Sequence, residues 1–219
     1  MHQTASPYPE SHTLSAVKLS AERQDRWLFK DISFSIEPGL VFHLKGANGC
    51  GKTTILRILC GLTTADSGEV KWGDKPISKQ HDEYHTQLSY VGHTDGIKQD
   101  LTVEENLKVA AVLAQGKQQQ PKQIDLGDTL RKVGLHHRKY TFAHSLSAGQ
   151  RRRLALARCL LNDTSIWILD EPLTALDTQG VALVEELINE HIQRNGIAII
   201  TSHQRLNVND ANYQVLDLS

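Results

Sequence analysis

VFHLKGANGCGKTTILRIL, residues Val41 to Leu59, joins a short apolar run to a glycine loop and then to a helix-forming run. VFHL (Val41 to Leu44) has the short, nearly continuous apolar character of a strand covered on both faces. Beyond the loop, Ile55, Leu56, Ile58 and Leu59 give a helical pattern, and Gly61 is placed to stop it. Between them GANGCGKT, which is Gly46, Ala47, Asn48, Gly49, Cys50, Gly51, Lys52 and Thr53, fits G-x-x-x-x-G-K-[ST], and Thr54 follows. A strand before and a helix after is the context that gives this match meaning. Glycines let backbone N–H groups turn inward around phosphates, and the helix start adds partial positive charge. Lys52 can reach β- and γ-phosphates and Thr53 can hold Mg²⁺, which points to ATP or a similar nucleotide. A glycine turn with a chance lysine is the plainer reading, and the context sets it aside.

Two further apolar runs read as buried strands. SIWIL (Ser165 to Leu169) leads into Asp170 and Glu171, and IAII (Ile197 to Ile200) leads into Thr-Ser-His, ending at His203. In open α/β sheets ligands sit at the carboxyl ends of strands, so Gly46, Asp170 and His203 are expected to converge. Asp170 is then expected to hold Mg²⁺, Glu171 to polarise an attacking water, and His203 to donate to the γ-phosphate. Without the phosphate loop, Asp170 and Glu171 before Pro172 would be read as a capping pair, and His203 as a satisfied turn residue.

Apolar residues at 181, 184, 187, 188 and 192 form one face of a helix, with Gly196 beyond it. Strand, helix and strand in succession predict an α/β fold with a mainly parallel sheet flanked by helices. The first 40 residues differ. TLSAVKLS and WLFKDISFSIEPG read as hairpin strands with a turn at Glu37-Pro38-Gly39, an N-terminal antiparallel β unit. From about Leu101 to Leu146 the chain is helix-rich, with a polar surface loop expected around Gln120. The expected organisation is a loose tail over 1–12 and one domain over 13–219, with a helical subdomain over about 97–150.

The chain has 219 residues and a formal net charge of -1, so no overall electrostatic pull toward nucleic acid or anionic lipid follows. No run of about 18 apolar residues spans a bilayer, and the polar start lacks a secretion signal. Cys50, Cys60 and Cys159 are odd in number and irregularly spaced, as expected of reduced thiols in a cytosol.

LSAGQRRR, Leu146 to Arg153, is a second place suited to an anion. Ser147 suits an N-cap, Gln150 completes a capping box, and RLALARCLL behind them is helical. Ser147, the Gly149 amide and the helix start together make another anion site. Alone, these residues read as a well-capped helix.

The phosphate loop, LSAGQ, WILDEP, the TALD of Thr174 to Asp177 and the TSH ending at His203 come in the order and spacing of an ATP-binding-cassette ATPase, a P-loop NTPase. The resemblance runs from about Leu14 to the end. LSAGQ is similar to the family's signature motif, with Ala148 where glycine is commoner. The resemblance implies that Ser147, Gly149 and Gln150 of one copy cover ATP held by the loop of a second copy, with Asp177 at the joint. ATP would close such a pair and hydrolysis would open it.

YVGHTDGIKQDLTVEENL (Tyr90 to Leu107), SAGQRRRLALARCLL, WILDEPLTALD and TSHQRLN look like the ATP-binding subunits of bacterial cytochrome c maturation systems. That resemblance implies a peripheral place on the cytoplasmic face of the inner membrane, an integral membrane transporter subunit as partner, and haem-handling membrane proteins nearby. ATP hydrolysis would power haem export or the release of a haem-loaded chaperone. A cassette for another substrate, such as a lipoprotein or metal, is the alternative. A soluble mechanical ATPase acting on DNA or ribosomes fits less well. DNA-acting members carry long coiled coils between loop and signature, and no heptads lie between Thr53 and Leu146. Ribosome-acting members usually carry two cassettes per chain.

Two positions depart from the family pattern. His93 stands where most cassettes have a glutamine that touches Mg²⁺ and the attacking water. Near the usual adenine platform stand Arg23, whose guanidinium can stack on a ring, and Trp27, which reads as a strand residue facing the core. His136-His137 and the His81/His85 pair read as solvated surface or as a pair lacking a third ligand, so direct haem binding is not expected. Arg151, Arg152 and Arg153 are expected to serve ATP, the dimer joint or helix ends, and not nucleic acid.

Overall fold

Alternating burial near the N-terminus and unbroken burial further on build two different sheets. The computed structural model describes Tyr8 and residues 12–115, 125–161 and 163–218. Strands β1 (Leu14–Arg23) and β2 (Arg26–Ile36) pair antiparallel, from Leu14 opposite Ile36 to Arg23 opposite Arg26. The chain reverses between them at Gln24 and Asp25, both left-handed at φ 53° and 57°. Next come β3 (Val41–Lys45), α1 (Lys52–Leu59), β4 (Ser67–Trp72), β5 (Lys75–Pro76), α2 (His81–Thr86) and β6 (Leu88–Val91). Helices α3 (Val103–Gln115), α4 (Leu126–Lys132) and α5 (Ala148–Leu161) follow, then β7 (Ile166–Asp170), α6 (Thr178–Gln193), β8 (Ile197–Thr201) and β9 (Tyr213–Asp217).

The first sheet has the order β2-β1-β4-β5 and is antiparallel; the second has the order β6-β7-β8-β3-β9 and is parallel throughout. VFHL, SIWIL and IAII therefore became β3, β7 and β8, side by side at the centre of the parallel sheet. Their side chains alternate between two cores, as strand geometry requires. Phe42, Leu44, Ile166, Ile168, Ile197 and Ile199 face α1 and the antiparallel sheet. Val41, Trp167, Leu169, Ala198 and Ile200 face the cluster built with α3, α4, α5 and α6.

Strands β4, β6 and β9 and helix α2 have weak sequence signals. SGEVKW and YQVLD mix charge with apolar residues, and LSYV is only four residues long. Pairing with stronger neighbours makes them strands. The helix-rich middle is α3 and α4, both packed against α5. The loop expected around Gln120 lies outside the described residues. Of the segment expected as a loose tail, Tyr8 and His12 are described; Tyr8 is buried and His12 is exposed. The Tyr8 ring lies edge-on to His191, and His12 lies edge-on to Trp72.

Gly61, at φ 67°, ends α1 as expected. Helix α6 ends differently: the left-handed residue is Asn195, at φ 63°. Gly196 is needed for space, since a Cβ there would lie 2.3 Å from the His191 ring. That ring lies flat on Trp167 at 4.0 Å, and Nε2 donates to Ile197 O at 3.2 Å.

Burial pushes the His191 pKa down from 6.5 to about 4. Between those values the unfolded chain binds protons more readily than the native one, so stability falls as pH falls through this window. The shift corresponds to about 3 kcal/mol, lost progressively below pH 6.5. His43 is lowered by burial in the same sense. Urea denaturation at pH 7, 6 and 5 should show a declining midpoint, with a shallower decline in His191→Phe, which keeps a ring and loses the titration.

Candidate active site

The sheet register brings the predicted carboxyl ends together. Thr201, the last residue of β8, stands opposite Asp170 of β7 on one side and Leu44 of β3 on the other. Asp170 is only 3% exposed, and both its oxygens are engaged. Oδ2 accepts from Thr53 Oγ1 at 3.0 Å and Oδ1 from Thr201 Oγ1 at 2.6 Å. One carboxylate thus ties α1, β7 and β8. Lys52 Nζ donates to Gly46 O at 2.7 Å and Ala47 O at 3.0 Å, which lays the ammonium against the loop backbone.

Glu171 sits one residue beyond the strand in a left-handed conformation, φ 53°. For a residue with a Cβ this costs roughly 1–2 kcal/mol, so other contacts must impose it. Its N–H donates to Thr201 Oγ1 at 2.9 Å. On the preceding carbonyl, Asp170 O accepts from the Arg152 guanidinium. The turn aims Glu171 Oε1 to 3.7 Å from His203 Nε2.

These residues line a cleft of about 730 Å³. Asn48, Gly49, Gly51, Lys52, Thr53 and Thr54 line it from the loop, with His93, Asp170, Glu171, Thr174 and His203. The β1–β2 hairpin adds Arg23, Gln24 and Leu28. Trp27 does not take part and does not face the core: it is 46% exposed, with the Lys30 ammonium 5.4 Å from its ring. The register shifts here, from Ala21 opposite Phe29 to Glu22 opposite Trp27, so the alternation that buries Phe29 does not carry to Trp27.

Ser147, Gly149 and Gln150 do not line this cleft. They form the expected capping box: Ser147 N–H donates to Gln150 Oε1 at 3.0 Å, and Gln150 N–H to Ser147 Oγ at 3.2 Å. Gly149 is required by close approach, because a Cβ would lie 2.6 Å from Ala175 O. The signature is thereby packed on the TALD turn of its own chain. Within that turn Asp177 caps α6, its Oδ1 accepting from Gly180 N–H at 2.8 Å.

The three arginines separate. Arg151 donates to Leu146 O at 2.5 Å and Arg153 to Val133 O at 3.1 Å, just past the end of α4. Arg152 is 4% exposed and reaches Gly92 O at 2.9 Å and Asp95 Oδ1 at 3.2 Å as well as Asp170 O. It spans the loop bearing His93 and the turn bearing Glu171. Sequence reasoning missed this role, and it missed Thr201, Gln24, Leu28 and Thr174. For Thr201 a signal existed: a hydroxyl ending an otherwise aliphatic buried strand. For Arg152 there was none, because its partners, two backbone carbonyls and the Asp95 carboxylate, lie 18 to 60 positions away in sequence.

Burial pushes the Cys60 and Cys159 thiols up to about 12, so neither is a thiolate at neutral pH. His81 and His85 meet at 3.2 Å through Nδ1, and His85 Nε2 is engaged with Cys60 O at 2.7 Å. Among the described residues no group of three or more His, Cys, Asp or Glu is arranged to hold a metal.

A phosphate loop, an acidic turn and a histidine around one cleft, with a capped signature helix outside it, define an ATP-binding cassette. The ABC transporter family model matches residues 29–174, and the chain belongs to that family. It is 45% identical over 201 residues to the cytochrome c biogenesis ATP-binding export protein CcmA of Nitrosococcus oceani, covering 92% of this chain and 89% of that one. It is 44% identical over 197 residues to the protein of that name from Haemophilus influenzae, covering 90% and 92%. A solved ABC transporter ATP-binding protein from Pyrococcus furiosus has the same fold, with a TM-score of 0.78 at 29% identity over 94% of this chain and 97% of that one. The chain is thus an ATP-binding, ATP-hydrolysing subunit of the ABC type, and the α/β cassette expected from the sequence is the fold found.

Thr201→Val keeps shape and strand propensity but leaves Asp170 Oδ1 and Glu171 N–H without their partner. Stability is expected to fall by about 1–3 kcal/mol and turnover to fall with it. Urea denaturation and steady-state ATPase assays on the same preparation measure both.

Proposed function

We propose that this chain is the ATPase subunit of an ABC complex in cytochrome c biogenesis, and that it works as a pair. The observation that carries the pairing is the position of the signature. A capping box at Ser147 and Gln150 makes a helix start suited to an anion, yet these residues stay out of the cleft that holds Lys52 and Asp170. A second copy, packed head to tail, would bring its signature over ATP in the first.

Lys52 and the N–H groups of residues 46–54 would hold the phosphates, and Arg23, from the hairpin edge of the cleft, would stack on adenine. The residues fit Mg²⁺. Thr53 Oγ1 and Asp170 Oδ2 are hard oxygen donors 3.0 Å apart at the cleft, and Mg²⁺ favours few protein ligands completed by phosphate and water. When bound, Mg²⁺ would neutralise charge on the phosphates. Glu171 would orient the attacking water and accept its proton, and His203 would donate to the γ-phosphate. His93, in the same cleft, would take the place of the usual glutamine. Residues 13–219 would act as one cassette, with about 97–150 as its helical part.

The relatives named for cytochrome c biogenesis support the assignment to that process, at 41–45% identity over most of their length. No helix among the described residues is long and apolar enough to cross a membrane. Peripheral attachment at the cytoplasmic face of the inner membrane, through an integral membrane subunit and near haem-handling proteins, accords with that. ATP hydrolysis would drive haem export or the release of a haem-loaded chaperone.

In cells lacking the endogenous subunit, the wild-type chain should restore haem-containing c-type cytochromes, read by haem staining, and Glu171→Gln should not. The purified variant should still bind ATP, turn it over at least about 100-fold more slowly, and accumulate as an ATP-dependent dimer in analytical ultracentrifugation. Restoration by Glu171→Gln, or a monomer at saturating ATP, would overturn the reading.

A further inference from the structure

His43 places a fully buried imidazole in strand β3, opposite Ile200 of β8 and Val215 of β9. Both ring nitrogens are used. Nε2 lies 2.9 Å from Ser202 O. A carbonyl only accepts, so Nε2 carries the proton. Nδ1 is then the acceptor, and the Tyr213 hydroxyl donates to it at 2.6 Å. Burial holds the His43 pKa below the usual value, which keeps the ring in the neutral form that this arrangement needs.

Tyr213 opens β9, the strand beside β3. Its hydroxyl also faces Leu206 N–H at 3.4 Å, and the Arg205 guanidinium lies over its ring at 4.6 Å. The segment from Ser202 to Leu206 is therefore held near its first residue by His43 and near its last by Tyr213. His203 lies between these anchors. Its side chain is 69% exposed and stands 3.7 Å from Glu171, beyond hydrogen-bond range, so its own contacts do little to orient it. Its direction is set by the backbone on either side. A satisfied core histidine would need no such placement. Here the two partners of one ring bracket the single loop that carries His203, and they tie it to the strand that leads into the phosphate loop.

We propose that His43 and Tyr213 form a clamp that positions His203 toward the γ-phosphate, His43 being a positioning residue for ATP hydrolysis. The proposal rests on the reading of His203 given above.

The test is a set of double-mutant cycles on the full chain, with kcat and KM for ATP as readouts. His43→Leu and Tyr213→Phe are each expected to lower kcat about tenfold while KM moves less than about twofold, because a misplaced group costs turnover more than ground-state binding. His43→Gln, whose amide can donate to Ser202 O and accept from Tyr213, should recover most of the rate. In a His203→Ala background neither His43→Leu nor Tyr213→Phe should cost anything further. Tyr213→Phe removes one oxygen from a half-buried ring and carries the test if His43→Leu does not fold. The clamp is refuted if its variants lose as much activity in the His203→Ala background as in wild type, or if folded variants keep the wild-type kcat while His203→Ala is slow. Full turnover by His203→Ala alone would overturn the role of His203, and the clamp with it.

Discussion

The carboxylate of Asp170 holds the molecule's working end together. It is nearly inaccessible to water, and a buried charge is tolerated only where hydrogen bonds replace the water it has lost. Thr53 and Thr201 provide two of them, one from the helix after the phosphate loop and one from the neighbouring strand. The same Thr201 oxygen accepts from the Glu171 N–H, and Arg152 holds the Asp170 carbonyl. The left-handed turn at Glu171 is thus imposed from both sides. Local strain at that residue is offset by a network that would lose several hydrogen bonds if the turn relaxed.

The network has a wider reach through Arg152. Its guanidinium also binds Gly92 O and Asp95, which flank His93, while its backbone belongs to the helix that starts at the signature. Three segments that the proposed cycle uses meet at one buried cation. In the proposed pair, a second copy closing over the cleft would alter the hydrogen-bonding geometry at this cation. The Gly149–Ala175 contact adds a steric link, since a side chain at position 149 would push the two segments apart.

Much of this was readable in advance, and the physical reasons differ between elements. Strands β3, β7 and β8 are buried on both faces, so they are apolar at most positions, and their boundaries show in the letters. The glycine loop and the capping box depend on interactions within a few residues, and such patterns are visible without a fold. Strands β4, β6 and β9 and helix α2 went unread because partners, and not their own residues, make them regular. The hairpin was legible, yet the exposure of Trp27 was not. An aromatic in a strand favours burial only if another layer covers it.

Local chemistry in the sequence therefore determined the parallel α/β core, the phosphate loop, the acidic turn and the capped signature, because each is built from neighbours along the chain. Tertiary structure alone decided which oxygens meet at Asp170, that Arg152 is buried and Trp27 is not, and that His43 reaches the loop of His203. Those contacts join residues up to 170 positions apart, as between His43 and Tyr213. Their geometry follows from sheet order and register, which no short stretch of sequence contains.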